Sequence, residues 1–268
     1  MTDVDAELLA LEISRELVPP PSLYEQIHND LIAIRAAYPA MSLIHHRPLW
    51  IPGELMGQLT AEAMAQFKVG EYHGLDTLSA QYGPIEIIPS DSASLAALNF
   101  VTFKFSRWYN PECLTRPISA AEGVWYAHSK WISGEGNRIE VSESQYTFSL
   151  DWGNCKEVCT YHHYWIFSVI DGLASLVDEH GDPLIGDLSV ANDDPTTVGS
   201  ATRLISEVGA YSHPEVTYTW NFGDGTPVLN GGAEITHVYP AIGEYTAVVT
   251  ASSFGHTVTA ATIIIVTS

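Results

Sequence analysis

Near the start of the chain, apolar residues recur at three and four positions, the spacing of a helix with one buried face. Val4, Leu8, Leu9, Leu11, Ile13 and Leu17 stand among Asp and Glu, and early acids suit a helix N-terminus, so a helix is predicted over 4–17. Pro19, Pro20 and Pro21 end it, and Ser22 is placed to N-cap a second helix carrying Leu23, Ile27, Leu31, Ile34 and Tyr38. Pro39 stops that helix. From Trp50 the period changes: 51–59 reads as a strand, and Thr60 caps a helical stretch through Met64, Phe67, Leu75 and Leu78, with a break at His73 and Gly74 where His73 would cap a carbonyl. Gly83 and Pro84 terminate it before a short strand at 85–88. Residues 98–105 alternate as another strand, Asn110 and Pro111 open a helix at the turn where proline is tolerated, and 123–127 is a fourth strand.

The resulting order, β-α-β-β-α-β, is that of the ferredoxin-like split unit. Residues 139–186 then predict a small antiparallel extension: strands at 146–150, 163–170 and 174–177, with a hairpin turn at Asp171 and Gly172. Beyond the linker at 181–186 the period stays at two. Trp220 and Phe222 precede a sharp bend at Gly223, Asp224 and Gly225, where the glycines allow positive φ and the Asp can bond its own backbone. Tyr245, Ala247 and Val249 alternate with Glu244, Thr246 and Val248 as a later strand. Four segments follow: an N-terminal helical segment 1–47, an α+β domain 48–138, a β-hairpin extension with linker 139–186, and an all-β sandwich 187–268.

Two family resemblances rest on these residues. Tyr218-Thr-Trp-Asn-Phe-Gly-Asp-Gly-Thr226, with Thr236-His-Val-Tyr-Pro240 and the strand after Gly243, resembles the PKD repeat over about 187–268. That likeness implies an immunoglobulin-like sandwich, usually extracellular, that binds or spaces and does not catalyse. Its expected core is Trp220, Phe222, Gly223, Asp224, Gly225, Tyr239 and Tyr245. Pro-Gly-Glu-Leu at 52–55, Tyr-Gly at 82–83, Asn-Pro at 110–111 and Gly-Val-Trp-Tyr-Ala at 123–127 resemble the propeptide-type inhibitor domain of subtilisin-like proteases over about 48–130. That likeness implies a fold that docks on a protease by its sheet and enters the cleft by a C-terminal tail, here His128, Ser129, Lys130 and Trp131. The chain departs from the pattern at Leu55-Met-Gly-Gln-Leu59, and more sequence follows the tail.

Charge narrows the partners. The 268 residues hold 32 acids against 11 Lys and Arg, a net charge of −21, which repels phosphate backbones and anionic membrane surfaces. No run approaches the ~20 apolar residues of a membrane helix, so no insertion is expected. Asp3, Asp5 and Glu7 stand where a secretory signal would carry positive charge, so no signal peptide is expected in this chain, although the resemblance points to the cell exterior or surface.

Candidate chemistry is sparse. Cys155 and Cys159 are close enough to bridge across a tight loop, leaving Cys113 unpaired. With His162 and His163 they offer four zinc-type ligands, but adjacent histidines on a strand face opposite ways, which favours the disulfide. Asp193, Asp194 and Asp224 are the carboxylates that would supply calcium; the turn roles of Asp194 and Asp224 compete with that reading. His45 and His46 precede the first α+β strand as a loop pair. No nucleophile elbow, zinc-protease helix, phosphate loop or dinucleotide fingerprint is present, so no enzyme and no resident cofactor is expected. The expected function is a modular structural or interaction protein that contacts a protein partner or copies of itself. An inhibitor or folding assistant of a subtilisin-like protease is the alternative, and a carbohydrate-binding or adhesive module the third. For self-assembly, the 4–17 helix would pack on a neighbouring copy or on its own domain.

Overall fold

The structure, a computed structural model, describes residues 3–268. It divides into two compact units. One holds the described residues up to Phe148 together with Ile166–Asp178, and the other holds Ser149–Trp165 and Glu179–Ser268. The 139–186 segment, expected as an extension of its own, is therefore shared out between them.

The first unit opens with helices α1 (Val4–Ser14) and α2 (Pro21–Ala37) and a single 3-10 turn at Pro39–Leu43. Asp3 caps α1, accepting from the Asp5 and Ala6 amides. Helix α2 begins one residue before the expected cap: Pro21 occupies its first turn, and the N-cap position, Pro20, offers no side-chain bond. A proline there costs little because the first amides lack helical partners anyway. Helix α1 is shorter than its apolar pattern suggested, and its buried residues, Leu8, Leu9 and Leu11 among them, pack within this unit against α2 and the later strand β5 (Arg138–Ser142). Of the two expected packings of this helix, the one on its own unit is present here, with Val4 and Ile13 of the stripe left exposed.

Next come β1 (Trp50–Leu59), α3 (Ala61–Val69), α4 (Asp76–Tyr82), β2 (Ile85–Pro89), α5 (Ala93–Ala97), β3 (Phe100–Phe105), α6 (Pro111–Ser119) and β4 (Val124–Trp131). The stretch 61–82, expected as one broken helix, is two helices. Thr60 caps the first by accepting the Ala63 amide, and Gly70 ends it in the left-handed region. His73 pairs with the Asp76 carboxylate at 2.9 Å and not with a carbonyl. The strands form one antiparallel sheet ordered β2-β3-β1-β4. Leu55, Leu59, Val101, Phe103 and Ala127 face Ala63 and Met64 of α3 and Leu114 and Ile118 of α6, so one face of the sheet is the core.

Strands β5, β6 (Gln145–Trp152), β7 (Tyr161–Ile170) and β8 (Leu173–Gly181) form a sheet in that order. Its buried Ile139, Tyr146, Phe148 and Phe167 belong to the first unit, where the Tyr146 hydroxyl donates to Asp30 at 2.7 Å.

The rest of the second unit is all β: β9 (Leu188–Asn192), β10 (Thr196–Thr197), β11 (Ala201–Val208), β12 (Thr217–Asn221), β13 (Leu229–Gly231), β14 (Glu234–Val238), β15 (Gly243–Ser253) and β16 (His256–Thr267). They make two sheets, β10-β16-β15-β12-β13 and β14-β11-β9. Leu204 from the smaller sheet and Trp220, Val249 and Ile264 from the larger one share a single core, as a sandwich requires.

Candidate functional site

The face of the four-stranded sheet opposite the helices stays partly exposed. It carries Met56, Gln58, Phe100, Thr102, Tyr126 and His128, with Glu54 ion-paired to Lys130 at 2.8 Å. Phe100 meets Tyr126 edge-on at 6.1 Å, and Tyr126 stacks beside His128. On the edge strand β4 the register slips: Gln58 faces Tyr126 and Leu59 faces Val124, which leaves Trp125 as the extra residue. Such a bulge re-aims a side chain, and Trp125 is 71% exposed. Trp131, 55% exposed, ends the same strand, whereas Tyr109, Trp152 and Trp165 are buried.

The expected inhibitory tail is corrected by this sheet. His128, Ser129 and Trp131 sit inside β4, opposite Met56, Leu55 and Trp50 of β1, and Lys130 lies between them. Beyond the strand, the Ile132 amide donates to the Leu49 carbonyl, and the Arg47 guanidinium donates to the Gly134 carbonyl at 2.6 Å. A segment that satisfies its backbone groups this way is not free to enter a cleft.

In the sandwich, Trp220 is fully buried and its indole N–H donates to the Gly232 carbonyl at 3.0 Å. Phe222 stacks on His237 with ring centres 3.8 Å apart. Tyr239, also buried, donates to the Phe222 carbonyl and stacks on Tyr245. Gly223 has φ +78°, and a Cβ there would lie 2.4 Å from the Thr246 carbonyl oxygen, so only glycine fits. Asp224 closes the bend: one oxygen accepts the Thr226 amide and hydroxyl, and the other meets His237 Nε2 at 2.7 Å.

These bonds occupy Asp224 as a structural acid. Asp193 accepts the Arg203 amide and Asp194 the Ile265 amide, and among the described residues these three carboxylates do not gather their oxygens into one ligand cluster. The calcium expectation therefore lacks a convergent donor set. Burial would raise the Asp224 carboxyl, but the Thr226 and His237 bonds outweigh it and hold the group at about 2. A value below that of an unfolded Asp, ~3.9, means the stabilisation is complete above about pH 4 and is lost as pH falls towards 2. Asp224→Asn is expected to destabilise the sandwich by about 1–2 kcal/mol at neutral pH, allowing for solvent screening. Its urea midpoint should fall less steeply than the parent's between pH 4 and 2; parallel profiles would remove the assignment.

Cys155 and Cys159 are joined as a disulfide, so their sulfurs are not available as thiolate ligands. Cys113 stands outside it, half-buried, with its thiol against the Arg15 carbonyl at 3.4 Å. His162 and His163 diverge, as the strand geometry predicts: His162 Nδ1 meets Asp151 at 2.8 Å, and His163 turns towards Asp182 and Glu179. His46 is structural, accepting the Ile139 amide at Nδ1 and meeting Glu12 at Nε2. Burial would raise the Glu12 carboxyl, but His46, the Leu49 amide and Arg138 together outweigh it and lower it. Sequence reasoning missed Glu179, 16 residues from His163, and His256, 77 residues from Glu179, because no local pattern marks them. A shallow cleft of about 470 Å³ between Thr60, Gln66, Tyr72 and Glu122 contains Glu62, Glu71 and His73 and no serine or cysteine.

Residues 188–266 match the family model of the PKD domain. Among solved structures, the chain is similar to the solution structure of the PKD domain from human VPS10 domain-containing receptor SorCS2, at 18% identity and a TM-score of 0.28, covering 32% of this chain and 79% of that one. It is also similar to extracellular domains 3–5 of Drosophila OTK, at 6% identity and a TM-score of 0.25, covering 84% of this chain and 90% of that one. No curated protein matches the chain. With its paired sheets, its buried Trp220 and its Gly-Asp-Gly bend, the segment 188–266 is a PKD domain.

Proposed function

We propose that the protein is a non-catalytic, modular interaction protein of the extracellular type. Its α+β unit receives a protein partner on the uncovered face of the sheet, and its PKD domain serves as the spacer or adhesive module. The observation that carries this reading is Trp125, set out of register in a bulge at the edge of that face and 71% exposed beside Tyr126. Large aromatics are the residues that most often anchor interfaces, and a bulge holds one at low entropic cost. The net charge of −21 disfavours close approach of identical copies and favours a partner with a basic rim, so we assign a heterologous protein segment.

The strand order β2-β3-β1-β4 with helices on one face supports a ferredoxin-like reading of this unit. The same face is the one a subtilisin-like protease would meet in the alternative reading, although no free tail accompanies it.

A displayed library of random peptides, selected on the full chain, tests the proposal. Selected peptides are expected to carry aromatic and basic residues, to protect β4 and β1 amides from exchange, and to lose at least about tenfold in affinity when Trp125→Ser is introduced. Protection confined to the PKD domain, unchanged affinity for the variant, or a library that yields no binder would overturn it. Loss of native mass on the same substitution would assign the face to self-association instead.

A further inference from the structure

Within the second unit, three side chains meet on one oxygen. His163 Nε2 lies 3.0 Å and His256 Nε2 lies 2.6 Å from Glu179 Oε1, and all three atoms fall within 4.8 Å of one another. His163 Nδ1 sits 2.7 Å from the Asp182 carbonyl oxygen. A carbonyl only accepts, so Nδ1 carries the hydrogen, and in the neutral ring Nε2 is then a bare lone pair. That lone pair faces a carboxylate oxygen, which is also an acceptor. Two acceptors facing each other need a proton or a metal ion between them.

We infer that His163, Glu179 and His256 form a site for one divalent ion of the zinc class, with a water in the fourth position. Several features favour the ion over the proton. A ring nitrogen that donates to a backbone carbonyl while its other nitrogen points at a carboxylate is the orientation that outer-shell bonds impose on metal-ligating histidines. Zinc takes nitrogen and oxygen donors at ~2.0–2.2 Å, which in a tetrahedron places them about 3.4 Å apart. The two contacts to Glu179, at 3.0 and 2.6 Å, reach that with shifts of under about 1 Å. Glu179 and His256 are exposed enough to make them, while buried His163 is the fixed member.

Backbone turns present the ligands. Gly181 has φ +121°, and a Cβ there would lie 2.4 Å from the His162 carbonyl oxygen, so a glycine lets β8 close on β7 beside the site. Phe254 and Gly255, with φ 47° and 89°, form the two-residue turn that delivers His256 at the first position of β16. The Trp165 ring, 4.4 Å from that of His163 and backed by Phe254, walls one side with apolar surface.

The test uses the full chain stripped with chelator and titrated with zinc chloride, read by NMR of the histidine ring nitrogens. Zinc is expected to bind at one ion per chain through this site, to shift Nε2 of His163 and His256, and to leave the His163 Nδ1–H in place. His256→Ala and Glu179→Gln, both at exposed positions, should each weaken binding by at least about tenfold, since even outer-shell changes cost 10–100-fold. His45→Ala, at an exposed histidine elsewhere, should leave it unchanged. Calcium at equal concentration should move neither ring. Ring nitrogens unmoved by excess zinc, a protonated His163 Nε2 that persists in its presence, or unaltered affinity in both variants would each overturn the assignment.

Discussion

Replacing Asp5 by alanine is expected to cost about 3 kcal/mol, the low end for removing one partner of a buried ion pair, because Arg35 loses its more buried carboxylate and keeps only Asp3. Asp5 lies in the first turn of α1, almost wholly buried, where its carboxylate accepts from Arg35 Nη2, from the His46 amide at 2.9 Å and from His45 Nδ1 at 3.1 Å. Arg35 also reaches Asp3 at 3.3 Å and the Ile44 carbonyl at 3.4 Å, so the network ties α1, α2 and the approach to β1. Urea unfolding followed in the α+β unit measures the loss. Asp5→Asn keeps an acceptor for the His46 amide and should cost less than alanine. Arg35→Met added to Asp5→Ala should recover part of the deficit, because the guanidinium that lost its buried partner is gone, while Asp3 keeps the α1 amides and His28 beside it. Native mass should stay unchanged throughout, since the buried residues of α1 pack on its own unit. Equal costs for Asn and Ala, with no recovery in the double variant, would show that the pair is not the source.

Trp220→Ala should be at least as costly in the other unit, at about 3–5 kcal/mol for a large aromatic removed from a packed core. Trp220 is paired on both sides, to Val249 of β15 and Leu229 of β13, and it packs with Leu204, Phe222 and Ile264 between the sheets. The substitution also removes the indole donor of the Gly232 carbonyl, a smaller loss because Gly232 is exposed and water can take the donor's place. Exchange of the β15 and β16 amides localises the effect: protection should fall by about two to three powers of ten, at ~1.4 kcal/mol each. Trp220→Phe retains most of the packing and should lose roughly one. Protection unchanged in the alanine variant would mean that the indole is not the anchor between the sheets.

The two predictions differ in how far the sequence reveals them. Trp220 is legible because its message is local: an alternating strand, two glycines and an Asp that bonds its own backbone, all within seven residues. Such turns are decided by φ preferences and short-range hydrogen bonds, which a chain carries wherever it goes. The Cys155–Cys159 bridge and the helix stop at Pro39 are legible for the same reason, whereas the break expected at His73 and Gly74 falls at Gly70.

What lay hidden is of another kind. Asp5 reads as an acid favourable to a helix N-terminus, and only packing reveals it as the partner of Arg35, 30 residues on. Residues 128–131 read as a tail because the protease-propeptide resemblance implies one there; pairing with β1 makes them a strand. Trp125 continues an apolar run in the sequence, and only the register slip of one residue exposes it. His163, Glu179 and His256 share no spacing, since two turns in different hairpins bring them together. The sequence alone determined where helices, strands and bends form, and the identity of the PKD segment, because propensity, period and turn chemistry act over a few residues. The tertiary structure alone decided which charges are paired, which aromatics are exposed and which ligands converge, because those depend on strand register and long-range packing that no local pattern encodes.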